Sequence, residues 1–581
     1  MNEKPLFTLG LILSIIHYFL APPKNIFQIL PGILINIYFL YVLLFFQRFK
    51  FLKYFSTVVF ILTFIQLIYY YHYRIFIPLG AYSFILNEPR MLQEVLLMAD
   101  ALYFIIPGIL FFIGLQKFLN LFLKKGKFCF KKNIRYLILH FSIFSLLVLS
   151  RENLNRAHAL PFSSNFIAQM VSHPILTKKR SKLKKRNTSK APFHINTETN
   201  ILIIISDALR SDVLSASGLP EIVIDKTLQN FYKKSIVFEY VISPSNMTGT
   251  SIPSMFTGLE TWNPPSEFQK KSRPWDYFSN HYSFYLSTAD VNFFSIDETL
   301  RTENLNLVWE LEQENKHTLR EILRDGDSLA LKKVISTINK SPKPFFGVWH
   351  MDGTHSYLHT PSETFPFNLP TNMHPNKKKY LHSAYVASKN IRKLLDNVDM
   401  ENTIIIFTSD HGEGFGEHGY FFHFKDLHQE SVKVPFIIYL PEMLKRNLSL
   451  KKTKCLEENT KKISSTIDLI PTLNGLFNHT TVDIDGKDLT QCHSEGRIIT
   501  SSNCIKNYQC FTEDILFATD DKSIIISPKD GIIGIYDTHE DILQEDNLKL
   551  TRDKKFVNNV IGLFKKNIGN KNELTKRLID Q

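Results

Sequence analysis

The chain has 581 residues, a net charge of +13 and 44% hydrophobic residues, with Phe alone at 48. That length exceeds one ordinary domain, and that apolar load argues against a purely soluble protein. The hydrophobicity is also unevenly placed, so the chain has to be taken segment by segment.

Long apolar runs cover Leu6–Ala21, Ile26–Phe46, Tyr54–Tyr71, Ala101–Leu123 and Ile134–Ser150. A helix that spans a bilayer needs about 20 such residues. The first and last runs are short, so four spans are conceivable, but loop charge favours five. Arg48, Lys50 and Lys53 separate the second and third runs, and Lys124, Lys125, Lys127, Lys131, Lys132 and Arg135 lie between the fourth and fifth, with no acid in either loop. The intervening loop mixes Arg74 and Arg90 with Glu88, Glu94 and Asp100. Positive loops stay cytoplasmic. The N-terminus is therefore expected inside and everything after Ser150 outside, which requires an odd number of spans. The first run lacks a small-residue cleavage site and is followed by further spans, so it reads as an anchor rather than a removed signal peptide.

Cys129 falls in a cytoplasmic loop, whereas Cys455, Cys492, Cys504 and Cys510 fall in the exported part. An even exported number suits one or two disulfides, and no C-x-x-C spacing points to a zinc ribbon. Cys504–Cys510 would make a short bridge, but three pairings are open for four cysteines.

After the last run a connector leads to TKKRSKLKKRNTSK, in which Lys178, Lys179, Arg180, Lys182, Lys184, Lys185, Arg186 and Lys190 stand without an acid. A solvated linker accounts for this stretch. Contact with anionic lipid headgroups accounts for it equally, since each basic residue near such a surface adds roughly 1 kcal/mol. Nucleic acid is a poor partner for an exported segment. The expected organisation is a transmembrane domain over 1–150, a connector with this basic linker over 151–197, and an exported domain over 198–581.

From Asn200 the pattern becomes strand, helix, strand. NILIIIS, PFFGVWH, TIIIFTS and VPFIIYL are short continuous apolar runs, as strands of a parallel sheet buried on both faces are. Helix-like segments, such as Thr318–Asn339 and Lys377–Asn397, lie between them, which implies an α/β layered domain. Near the C-terminus KSIIISPKDGIIGIYD reads as a β-hairpin, so a small antiparallel subdomain is expected to close the chain.

Chemistry gathers at the strand ends. The first strand ends on Asp207, and TIIIFTSDHGEGFG ends its strand on Asp410 and His411. Between them SPSNMTGTSIPSMFTG carries hydroxyls in a loop that opens a helix. Taken singly, a strand-terminal Asp is a helix cap, SDHGE is a turn and the hydroxyls are turn residues. Together, two Asp, one His and one hydroxyl make a four-ligand set for a divalent metal. A metal would lower the hydroxyl pKa, and the helix N-terminus would hold an anionic substrate oxygen.

The order DALRSD, the hydroxyl loop ending in TG, FFGVWHMDGTH, SDHGEGFGEHG, STIDLIPTL, DGKDL and the late IYDTHEDILQEDNL resembles the sulfatase-type branch of the alkaline phosphatase superfamily, over roughly residues 198–550. Sulfatases of this branch carry a Cys or Ser, matured to formylglycine, ten residues before the Gly of TG; here that position is Thr248. Placing Ser251 there puts Met255 where the family has an essential Arg, and Thr250 is a third placement. The TGTSIPSMF stretch resembles membrane phosphoethanolamine transferases, which use a Thr nucleophile. The resemblance implies metal ligation by Asp207, Thr248, Asp410 and His411. It further implies phosphate contacts by His355, within HMDGTH, and by His423, thirteen residues after Asp410. His350, His418 and His428 read as structural. Paired acids are usual at the first motif in sulfatases, and Ala208 after Asp207 departs from that, which favours the transferase-like arrangement.

The apolar runs, the connector and the outer domain together resemble the YejM/PbgA-like inner-membrane proteins of Gram-negative bacteria, which are tied to control of lipopolysaccharide assembly. The expected fold is thus an N-terminal α-helical transmembrane bundle of about five spans followed by an α/β alkaline-phosphatase-like domain. The expected activity is metal-dependent phospho-group transfer or hydrolysis on lipid-linked phosphate esters at the periplasmic face. Zinc or manganese suits the ligand set best, with calcium or magnesium also compatible. Membrane phospholipid or lipopolysaccharide is the expected partner. The alternatives are a non-catalytic regulator that binds lipid A or a membrane-protein partner, and a sulfuric ester hydrolase.

Overall fold

The computed structural model describes residues 191–544 apart from 214–225, 289–299, 315, 424–425, 494–496, 504–513, 528–530, 539–540 and 542–543. These belong to the second of two compact units, Leu183–Gln581. The five apolar runs, the basic cluster Lys178–Arg186 and the pair Cys504 and Cys510 lie outside the described residues. No helix among the described residues is long and apolar enough to cross a membrane.

The strand β1 (Asn200–Ser206) is buried along its whole length. Its side chains alternate between two cores. Leu202 and Ile204 pack with Leu331, Val334, Tyr380 and Leu394 on one face of the sheet. Ile201, Ile203 and Ile205 pack with Ile252, Met255, Leu469 and Leu473 on the other. The helices responsible are α1 (Thr248–Met255), α2 (Leu319–Lys340), α3 (Pro375–Leu395) and α4 (Leu469–Leu476). A sheet covered on both faces explains why its central strands read as unbroken apolar runs.

The remaining strands are β2 (Ile236–Phe238), β3 (Val241–Ile242), β4 (Tyr282–Ser287), β5 (Leu307–Glu310), β6 (Phe345–Met351), β7 (Thr403–Thr408), β8 (Phe436–Tyr439), β9 (Ser464–Ser465), β10 (Ile499–Ser502), β11 (Ile515–Ala518), β12 (Lys522–Ser527) and β13 (Gly531–Asp537). The main sheet runs β2-β8-β7-β1-β6-β4-β5. β1 pairs in parallel with β6 and β7. β10 to β13 form a separate antiparallel sheet, with β12 and β13 as the expected hairpin.

One expectation is corrected. VPFIIYL forms β8, but it runs antiparallel to β7, and β2 runs antiparallel to β8. A parallel return needs a crossover, usually a full helix. The segment between β7 and β8 is taken up by the glycine-rich loop and a helix of four residues, Gln429–Val432. The chain therefore returns alongside its own strand.

Cys455 and Cys492, 37 residues apart, form a disulfide with their Cα atoms 4.5 Å apart. If Cys504 and Cys510 also pair, they can pair only with each other within this chain region.

Close packing sets a limit at the centre of the sheet. A Cβ on Gly347 of β6 would come within 2.3 Å of the Phe284 ring on β4. Gly347→Val is expected to lower stability by about 1–3 kcal/mol through overpacking. A reduced urea midpoint with an unchanged slope is the measurement that checks it.

Candidate active site

β1 and β7 are neighbours, so their carboxyl ends place Asp207 and Asp410 side by side. Immediately after β1 the backbone turns through Ala208 at φ 59°. That left-handed conformation costs a non-glycine residue roughly 1–2 kcal/mol. It is held by specific bonds: the Ala208 N–H donates to Asp410 Oδ1 at 3.2 Å, and the Tyr380 hydroxyl donates to the Ala208 carbonyl at 2.8 Å. The Leu209 N–H donates to Ser409 Oγ at 2.8 Å, which links the two strand ends again.

Asp207, Asp410 and His411 are 3%, 0% and 0% exposed, and one ligand atom from each lies within 4.8 Å of the others. His411 Nε2 is 3.5 Å from Asp207 Oδ1 and 3.5 Å from Asp410 Oδ2. Those two carboxylate oxygens are buried and have no hydrogen-bond partner. Donors arranged tetrahedrally at about 2.0–2.1 Å from one ion stand roughly 3.4 Å apart, so the spacing fits a zinc-sized divalent cation. The His411 Nδ1–H donates to the Gly412 carbonyl at 2.8 Å. The lone pair therefore sits on Nε2, facing the carboxylates, as in imidazoles that ligate metals.

Thr248 begins α1 and completes the set. Its Oγ1 lies 3.0 Å from His411 Nε2 and 3.4 Å from Asp207 Oδ2. Of the three hydroxyls weighed from the sequence, Thr250 is buried away from solvent, and Ser251 is fully buried and donates to the Asp410 carbonyl at 2.6 Å. Thr248 is part-exposed.

The sequence-predicted His423 and His355 adjoin this cluster. The His423 ring is 4.2 Å from His411 and 5.4 Å from His355, centroid to centroid. Burial and the neighbouring His411 and His355 hold His423 well below its usual pKa. Burial opposes charge on His355 too, but the carboxylates of Asp207 and Asp352 raise its pKa well above the usual value. Burial likewise opposes ionisation of Asp207, yet His355 and His350 hold its pKa below the ordinary carboxylate range.

Four contributors were not legible as such. Glu413 lies 3.4 Å from His423 Nδ1, and burial pushes its pKa up to about 8. Asp327 on α2 accepts the backbone N–H groups of Asp352 at 3.0 Å and Gly353 at 2.9 Å, fixing the loop that carries His355. Asn246 Nδ2 donates to the carbonyls of His423 and Asp426, tying the Thr248 loop to the His423 loop. His350, expected to be structural, has its Nε2 3.4 Å from Asp207 Oδ2. Asp327 and Asn246 carry no sequence signal, because their partners are backbone groups of remote loops.

A sulfatase family model matches residues 199–479. This part of the chain is a sulfatase domain. An integral membrane protein, lipooligosaccharide phosphoethanolamine transferase A from Neisseria meningitidis, has a similar fold at 15% identity and a TM-score of 0.59, covering 81% of this chain and 95% of that one. A 2-O GAG sulfatase, BT1596, superposes at 13% identity and a TM-score of 0.51 over 65% of this chain and 93% of its own. An N-acetylglucosamine-6-O-sulfatase from Bacteroides thetaiotaomicron is 30% identical over 99 residues, which is 16% of this chain and 16% of that relative. The matched stretch thus spans a small part of that relative's length.

Within the sulfatase domain a second cluster joins His418, Asp426, His428 and Glu430. The two imidazoles stack at 3.8 Å with planes 3° apart. Lone pairs of stacked parallel rings cannot meet on one ion, and each ring nitrogen already has a partner. His418 bonds Glu430 at 2.6 Å and the Gln544 carbonyl at 2.9 Å; His428 bonds Asp426 and, at 2.9 Å, the Tyr536 hydroxyl. The cluster is a hydrogen-bonded tie between the active-site loop and the C-terminal segment, in keeping with the structural reading of both histidines.

Burial alone would lower the His418 pKa, but the Glu430 carboxylate raises it from 6.5 to about 9. A raised histidine contributes stability that is complete below its unfolded value and is lost as pH climbs through the folded one. The urea midpoint is therefore expected to fall between pH 7 and 10, and His418→Gln to shrink that fall; an undiminished fall in the variant excludes the pair as its source.

Proposed function

We propose that the sulfatase domain is a metal-dependent phospho-group transferase or hydrolase that acts through Thr248 on lipid-linked phosphate esters at the periplasmic face of a bacterial inner membrane. The observation that carries this reading is the placement of Thr248 Oγ1. It stands part-exposed at a helix N-terminus, 3.0 Å from His411 Nε2 and 3.4 Å from Asp207 Oδ2. A divalent cation held by Asp207, Thr248, Asp410 and His411, zinc or manganese by donor type, would supply Lewis acidity and lower the pKa of the hydroxyl.

The chain's own groups do the rest. Thr248 Oγ releases its proton to solvent and forms a bond to phosphorus as the bond from phosphorus to the leaving oxygen breaks, the leaving oxygen departing with the pair and taking a proton from solvent, giving a phospho-threonine. The first N–H groups of α1 have no side-chain cap at Met247, and they face the developing negative charge. His355 and His423, which adjoin the cluster, hold the non-bridging oxygens through their ring N–H groups as charge builds on them. Water (hydrolysis) or a glycolipid hydroxyl or phosphate (transfer) then displaces Thr248 and restores it.

Location rests on converging support. The five apolar runs and the loop charges imply an exported domain. The Cys455–Cys492 disulfide suits an oxidising compartment. The similar fold of an integral membrane transferase extends over 81% of this chain. The basic residues Lys178–Arg186 would then lie near anionic headgroups, which favours a lipid-linked substrate.

The test is intact-mass and peptide mass spectrometry of the purified chain, with metal analysis, after exposure to membrane phospholipids. A phosphorus-containing adduct on Thr248, absent in Asp410→Ala, is expected, and its mass identifies the group transferred. Thr248→Ala is expected to lower turnover by about 10³-fold or more. Sulfate-ester turnover that survives Thr248→Ala would instead favour a sulfuric ester hydrolase. An unmodified, metal-free Thr248 under all conditions would favour the lipid-binding regulator.

A further inference from the structure

His350 is the penultimate residue of β6, paired with Ile205 near the end of β1. It is 1% exposed, its Nδ1 is 2.9 Å from the Tyr285 hydroxyl, and its Nε2, a buried atom that makes no hydrogen bond, lies 3.4 Å from Asp207 Oδ2. Tyr285 comes from β4, on the far side of β6, and presents its ring edge to the imidazole at 84°. Both side chains are sealed in the sheet's core, out of reach of substrate.

Where the protons sit on this pair follows from counting them. Tyr285 is wholly buried, and His350 is its one hydrogen-bond partner among the described residues. A buried O–H left without an acceptor costs about 1–3 kcal/mol. The phenol therefore donates to Nδ1, and a neutral ring that accepts at Nδ1 carries its proton on Nε2. A charged ring would carry a proton there as well. In either state Nε2 is a donor aimed at Asp207 and is closed to a cation.

We propose that Tyr285 and His350 form a positioning pair for the metal carboxylate: His350 Nε2–H donates to Asp207 Oδ2 and turns Oδ1, the oxygen with no partner, toward the cation. This rests on the reading of Asp207 as a ligand. It divides the carboxylate's two oxygens between two jobs, one anchored to the fold and one free to ligate. His350 is then neither a ligand nor a merely structural core residue.

The test is metal affinity, measured for zinc and for manganese by chelator competition on the full-length chain, with circular dichroism of each metal-free variant as the folding control. His350→Leu is expected to weaken affinity 10- to 100-fold, the range for lost outer supports of metal ligands. His350→Gln, whose amide can still donate, is expected to recover most of that loss. Tyr285→Phe, which removes one oxygen and little volume, is expected to weaken affinity by a smaller factor and decides the matter if His350→Leu does not fold. Wild-type affinity in both His350→Leu and Tyr285→Phe overturns the pair, as does a His350→Gln variant no better than His350→Leu. A wild-type chain that takes up no metal overturns the ligand reading itself, so the two failures are distinct.

Discussion

Two carboxylates buried within 4.8 Å of each other are the constraint around which the domain is arranged. At an effective dielectric near 20, two unit negative charges at that separation repel by roughly 3–4 kcal/mol, before the cost of burying either. Adjacent parallel strands bring the two together, since Asp207 follows β1 directly and Asp410 follows β7 after Ser409. The fold answers with donors and positive charge from every side. Asp410 Oδ1 accepts the N–H groups of Ala208 and His411, at 3.2 and 3.0 Å. His350 flanks Asp207 with its Nε2 3.4 Å from Oδ2, and Thr248, the first residue of α1, places its Oγ1 3.4 Å from the same oxygen. What remains unsatisfied is one oxygen on each carboxylate, and a divalent cation is the group that would satisfy both at once.

That arrangement depends on loops that cannot move independently. Gly412 packs so closely that a Cβ there would meet the Glu430 carbonyl at 2.1 Å, while its N–H donates to the Ser431 carbonyl at 2.9 Å. Asn246 spans from the Thr248 loop to the His423 loop, and Asp327 holds the His355 loop from α2. The loops that carry Thr248, His355 and His423 are thus each held by a side chain outside the cluster.

Legibility in the sequence follows from how local each cause is. β1, β6 and β7 were readable because burial on both faces leaves an unbroken apolar run. The helices were readable within a few residues, Leu319–Lys340 against an expected Thr318–Asn339, because Thr318 and Glu321 form a capping box. β4 and β5 were not, since YSFYLS and LVWE interleave polar residues and β5 is a short edge strand. The direction of β8 was not, because it depends on what the intervening loop does. At the site, Asp207, Asp410 and His411 stand out by ending apolar strands, and Thr248 by opening a helix. His350 did not stand out, because its partners Tyr285 and Asp207 come from two other strands that only the sheet order brings together.

The tie between His418 and the Gln544 carbonyl has a genetic corollary. Each proposed ligand and both flanking histidines are encoded before codon 424, yet the loop that carries three of them is braced by a residue 120 positions later. A premature stop between codons 424 and 544 would leave every proposed site residue in place and still remove that brace. In a collection of loss-of-function alleles, lesions there would cluster with those at Asp410 and His411, although nothing near them touches a substrate.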